Sequence, residues 1–177
     1  MGALKIILLS ILSAVVYGIL HDQVTARVCV EYFTVGHPPV FPTESPTLLG
    51  LGWGIIATWW VGLLLGIPLS LCARVGSAPR LSAGDLIRPV AARLASMGAL
   101  ALIAGLTGYT LVKDSGFHLD YIAASRLSES KQRLFIACWF AHLASYLFGF
   151  LGGLVLCVWT VLRRRSLGKG VGETGAV

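Results

Sequence analysis

The sequence contains no asparagine, so it carries no N-glycosylation sequon and lends no support to a role on a eukaryotic cell surface. Charge is also scarce. Only 12% of the 177 residues are Asp, Glu, Lys or Arg, against about a quarter in a soluble domain. Hydrophobic residues make up 56%, and mean hydropathy is +0.81. A chain of this kind lacks the polar surface to cover a water-facing globule, and it reads as an integral membrane protein. The four cysteines, Cys29, Cys72, Cys138 and Cys157, form no CxxC, CxxCH or zinc-type pair. Thioredoxin-like, c-type haem and zinc-ribbon chemistries are thereby excluded, and no disulfide framework is implied. The net charge of +6 would suggest nucleic acid in a soluble chain, but here it reflects basic cytoplasmic loops, and no nucleic-acid partner is predicted.

What is present is four long apolar runs. Residues 4–21, 48–73, 90–112 and 134–162 are each near or above the ~20 residues needed to cross a bilayer, which predicts an all-α, four-helix transmembrane bundle occupying residues 1–167. The first run has no A-x-A-like cleavage site after it and is expected to remain as a helix. Pro68 is expected to kink the second span near its end, and Pro89 to sit in the first turn of the third. The Gly-rich stretch 168–177 offers nothing apolar to pack and is expected to be a disordered tail.

Lys and Arg are retained on the cytoplasmic side of a membrane, so the loops give the orientation. Lys5, Arg74, Arg80, Arg88, Arg93, Arg163, Arg164, Arg165 and Lys169 are nine bases on one side, facing two acids, Asp85 and Glu173. The other side has five bases and six acids. Both termini are therefore expected in the cytoplasm, and the absence of sequons fits a bacterial inner membrane. Arg163, Arg164 and Arg165 lie where anionic lipid headgroups would meet them. In the first outer loop, the alternation from Val24 to Tyr32 predicts a short extended segment. In the second, Leu119, Ile122, Ala123 and Leu127 fall at the spacing of a short amphipathic helix on the outer surface. Tyr32, Phe33, Trp53 and Tyr121 suit an outer aromatic belt, and at least one of Trp59 and Trp60 is expected to face protein or a lipid groove.

Polar residues inside the spans carry the functional signal. Ser10, Ser13, Tyr17 and His21 share a face of the first helix, and Cys138, His142, Ser145, Tyr146, Gly149 and Gly153 share one of the fourth. Gly62–Gly66 and Gly149–Gly153 are GxxxG pairs that permit close helix approach, and ordinary packing of the bundle interior accounts for many such faces. His142 is less easily explained that way, because an imidazole at depth needs a partner. All four histidines fall in the outer half, accompanied by carboxylates. His21, Asp22, Glu31, His37, His118, Asp120 and His142 are therefore the candidate metal ligands, for a transition metal ion before haem, or else members of a proton relay. No HExxH or Glu-x-x-His pair is present, so the spacing specifies no particular metal and no catalytic residues are assigned.

The stretch from Tyr17 to Thr25, with Glu31-Tyr32-Phe33-Thr34 and His37, resembles the HDQxT…EYFTxxH first outer loop of a family of uncharacterised bacterial integral membrane proteins. The likeness covers about twenty residues and implies a shared extracytoplasmic loop without implying an activity. Two functions are open on the sequence. One is a small membrane protein whose outer His/carboxylate cluster binds a metal or relays protons. The other is a scaffold or accessory subunit that meets a membrane partner, or a second copy, through its Gly-rich faces. A lipid- or quinone-handling enzyme finds no nucleophile signature to support it.

Overall fold

The computed structural model describes residues 1–115 and 127–174, with side chains for 1–111 and 127–169. Six helices follow one another. They are α1 (Gly2–Val28), α2 (Glu31–Thr34), α3 (Pro46–Ile56), α4 (Trp59–Arg74), α5 (Ala83–Ser115) and α6 (Glu129–Thr174). Among the described residues there is no strand. Four stretches, Gly2–Val28, Pro46–Arg74, Ala83–Leu111 and Glu129–Lys169, are long and apolar enough to cross a membrane. The chain is thus an all-α, multi-pass bundle. α1 packs along α3 and α4, α5 packs along α6, and contacts of α1 with α5 and of α4 with α6 close the ring around a central lumen. Outward faces are apolar. On α1, Leu4, Leu8, Leu12, Val16, Leu20, Val24 and Val28 recur every four residues and are all exposed, as a lipid-facing stripe would be.

α1 and the α3–α4 span approach closely because the residues between them are small. A Cβ on Gly54 would stand 2.6 Å from the Ile19 Cα, and one on Gly62 would stand 2.6 Å from the Ile11 Cα. The Gly62–Gly66 pair therefore does pack a neighbouring helix. The interruption of this span lies at Ala57–Thr58 and not at Pro68, which α4 passes through. The Thr58 hydroxyl donates to the Gly54 carbonyl at 2.5 Å, taking the acceptor that the Thr58 N–H would use in a continuous helix, and that N–H donates instead to Ile55 O at 3.3 Å.

The predicted extended segment is also helical. α1 continues to Val28 because Asp22, Thr25, Ala26 and Cys29 are the buried positions there, at offsets of three, four and seven, which is a helical period that the alternation of Val with polar residues conceals. α5 begins earlier than Val90, since Ser82 and Asp85 form a capping box. The Ser82 N–H and Oγ donate to Asp85 Oδ2 at 2.8 and 2.7 Å, and the Asp85 N–H returns to Ser82 Oγ at 3.4 Å. α6 runs on to Thr174, past the Leu167 after which the sequence predicts a disordered tail. Leu167 itself packs on a cluster of Ile6, Leu69, Ala73, Leu81 and Leu86. The expected amphipathic outer helix lies outside the described residues, apart from Leu127.

The two ends of the bundle differ in chemistry. At the arginine end, Arg164 is only 4% exposed and donates to four carbonyls, that of Cys72 in the last turn of α4 at 2.6 Å and those of Ala78 at 2.7 Å and Val75 and Pro79 at 2.8 Å in the α4–α5 connection. It caps the end of α4 from a neighbouring helix and is not available to lipid headgroups, whereas Arg163 and Arg165 are exposed. Arg164→Gln should accordingly cost ~2–4 kcal/mol, because buried carbonyls lose charge-assisted donors. Thermal unfolding in mild detergent should show this loss for Arg164→Gln, with little change for Arg163→Gln or Arg165→Gln; equal effects at the three positions would refute the assignment.

Candidate metal centre at the histidine end

Two turns before α1 ends, its lumen face carries Tyr17, His21 and Asp22, and α6 brings His142 and Ser145 against them. His21 and Asp22 reach the lumen because α1 runs seven residues beyond His21, roughly 10 Å, so the imidazole stands within the helix and not at its end. The hydroxyls of Tyr17 and Ser145 hydrogen-bond at 2.8 Å. One turn nearer the end, His21 Nε2 stands 3.3 Å from His142 Nδ1, and His142 Nε2 stands 3.1 Å from Asp22 Oδ1. Asp22 is 5% exposed.

Hydrogen-bond chemistry fixes the protons. His142 Nδ1 lies 2.8 Å from the Cys138 carbonyl, which can only accept, so Nδ1 carries a hydrogen. His21 Nε2 faces that same N–H and therefore presents a lone pair. His142 Nε2 faces a carboxylate oxygen, which also only accepts. Something positive must lie between them, either a proton or a metal cation. Donor atoms of His21, Asp22 and His142 all lie within 4.8 Å of one another. Metal bonds of ~2.0–2.1 Å at tetrahedral angles separate donor atoms by roughly 3.3–3.5 Å, so these three residues could hold an ion if the His21 ring turned its lone pair from the His142 N–H towards it. The Cys138 carbonyl is then the outer partner that orients His142. The imidazole rings of His21 and His142 meet edge to face with centroids 4.4 Å apart, which leaves no gap for a porphyrin between them.

The wall around this cluster is aromatic. Tyr32 of α2 stacks on His142 at 4.4 Å, and the His37 ring lies 4.7 Å from that of Trp53. His37 donates from Nδ1 to the Tyr32 carbonyl at 2.8 Å. Burial pushes His37 below the ordinary imidazole range and Tyr32 above the ordinary phenol range, so both are neutral near pH 7. Tyr32, Phe33 and Trp53 thus line the lumen and do not form an outer belt, since α2 packs between α1 and α6 and Phe33 stacks on Trp53 of α3. Trp59 and Trp60 are 47% and 48% exposed on the outside of the bundle.

Of the seven sequence-predicted ligands, the structure brings His21, Asp22 and His142 together and places His37 on the same lumen wall. Glu31 is turned away, forming an ion pair with Lys131 and accepting from Cys29 Sγ at 3.5 Å. Opposite charge within reach in the first turn of α6 draws it there. His118 and Asp120 lie outside the described residues. Tyr32 and Arg93 are lumen residues that sequence reasoning missed. Tyr32 read as a belt aromatic and Arg93 as a topological charge, and only the inward turn of their backbones could have distinguished them. Compared with protein families, curated proteins and solved structures, the chain matches none.

A shared cluster makes a stability prediction. His21→Ala and His142→Ala should each destabilise the protein, and the double variant should be little worse than either, with a coupling of ~0.5–3 kcal/mol. Additive losses in thermal unfolding would mean that the two rings act independently.

Proposed function

We propose that this is a small multi-pass membrane protein that binds a divalent transition metal ion at the histidine end of its lumen, through His21, Asp22 and His142. The observation that carries this reading is the Asp22–His142 contact, in which two acceptors face each other in a buried site with Nδ1 already committed to a carbonyl. Two imidazoles and a carboxylate suit zinc, iron, manganese or copper, and three protein ligands would leave a coordination position directed into the lumen. Metal content of protein purified without chelator, measured by elemental analysis, should approach one ion per chain. Asp22→Asn and His142→Ala should lose it, and affinity should fall as pH drops, because protons compete for the imidazoles. Wild-type protein that takes up none of these metals after chelation and reloading would end the proposal.

Proton transfer is the second reading, favoured by the continuous run from Asp22 through His142 to His21. In that case a proton occupies the place of the metal, and liposome-reconstituted protein should conduct protons in a His142-dependent way. A scaffold or accessory role needs no occupant at the site and rests on the small-residue helix faces; co-purifying subunits without bound metal would favour it.

The orientation we infer places the histidine end outside a bacterial inner membrane and both termini in the cytoplasm, on the strength of nine bases to two acids at the arginine end. Glu44→Cys should react with an impermeant thiol reagent in intact cells, whereas Ser77→Cys should require permeabilised ones. The reverse pattern would invert the topology.

A further inference from the structure

Arg93 stands ten residues into α5, roughly 15 Å from the first residue of that helix, and turns inward. Its guanidinium lies over Gly152 of α6, in the space a Cβ would take, and forms part of the lumen wall with Leu65, Leu94, Met97 and Leu156. Arg93 Nε is buried and has no hydrogen-bond partner among the described residues. The other inward-turned cation of the arginine end is accounted for by its four carbonyls, and the ion pairs among the described residues are Glu31–Lys131 and Asp22–His142. A guanidinium does not lose its proton, so Arg93, half-buried, brings an unbalanced charge and one buried, unused donor to a lumen wall of apolar side chains. What completes such a site is an oxyanion, which a guanidinium binds through two parallel N–H donors.

The lumen limits what could bring that oxyanion. Its volume is about 200 Å³. An engineered apolar cavity of ~150 Å³ takes benzene, so this lumen suits an occupant of roughly ten non-hydrogen atoms. Between Arg93 and the histidine end the walls are mostly aliphatic side chains, Gly and Ala, and of the polar groups among them Tyr17 and Ser145 satisfy each other while the Ser10 and Thr58 hydroxyls donate to carbonyls of their own spans. At the far end, the Asp22 carboxylate repels a second anion, which orients the acid group toward Arg93.

We propose that the lumen binds a small apolar carboxylic acid whose carboxylate is held by Arg93. This goes beyond the metal reading and does not depend on it. The test is equilibrium dialysis of radiolabelled octanoate against the full chain held in amphipol, with a chelator present so that metal plays no part. Wild type should bind octanoate saturably at one per chain, and octanol much more weakly. Arg93→Gln should weaken octanoate by about tenfold or more while leaving octanol unchanged. Arg93→Lys should retain part of the affinity. If Arg93→Gln fails to fold, Gly152→Ala displaces the guanidinium with a single methyl group, and the octanoate-to-octanol ratio of wild type stands alone as a readout. Equal binding of acid and alcohol by wild type would overturn the proposal. So would octanoate binding indifferent to Arg93→Gln, or native mass spectrometry showing that Arg93 retains a phospholipid phosphate instead.

Discussion

A carboxylate that is 5% exposed inside an apolar bundle constrains much of this molecule. Taking Asp22 out of water costs several kcal/mol unless a positive charge meets it, and the His142 imidazole at 3.1 Å is the group that holds that charge, a proton or a metal ion, against it. That contact requires Nε2 to point at Asp22, which the Cys138 carbonyl secures by holding Nδ1. It also requires the ring to stay in plane, and Tyr32 stacks on it from α2. Tyr32 is in turn placed by a helix of only four residues, tethered through the Glu31–Lys131 pair and through the His37 bond to its carbonyl. On the opposite side, α1 at Asp22–Gln23 lies so near α3 that a Cβ on Gly50 would stand 3.0 Å from the Asp22 carbonyl. Each surrounding element is thus positioned by what the buried acid needs.

The spans were legible in the sequence because transfer energetics act on twenty-residue averages, which local detail hardly disturbs. The meeting of His21 and His142 was also legible, since each stood on the polar stripe of its helix. Helix ends were less so. The alternation through Val24–Tyr32 resembled a strand, while the burial that decided the matter, at Asp22, Thr25, Ala26 and Cys29, involved two polar residues that a hydrophobicity pattern does not count. The break at Thr58 was hidden for a similar reason. Proline announces a missing donor, but a threonine hydroxyl that takes its own helix's carbonyl leaves no mark in the sequence. Glu31 read as a ligand because it is a carboxylate near histidines, and Lys131 lies one hundred residues away in the chain.

Charge counting and charge placement also separate at the arginine end. Nine bases there support one orientation, yet they do three different things. Arg163 and Arg165 face outward. Arg164 replaces water as the donor to one carbonyl at the end of α4 and three of the α4–α5 connection, which spares that corner from needing a hydrated surface. Arg93 is turned into the lumen and meets none of these partners.

Asp22 and Arg93 carry opposite charges on the same lumen, and mutual neutralisation would be the simplest account of both. Distance argues against it. Gly152, over which the guanidinium lies, is ten residues beyond His142 on α6, or roughly 15 Å along the helix. At an effective dielectric constant of ~20, two unit charges so separated attract by only ~1 kcal/mol. The desolvation cost of each ion is several times larger, so each must find its own partner close by. For Asp22 that partner is the proton or metal ion held between it and His142 Nε2, 3.1 Å away. Around Arg93 the described residues supply none, and the apolar volume beside it is where the balancing charge has room to enter.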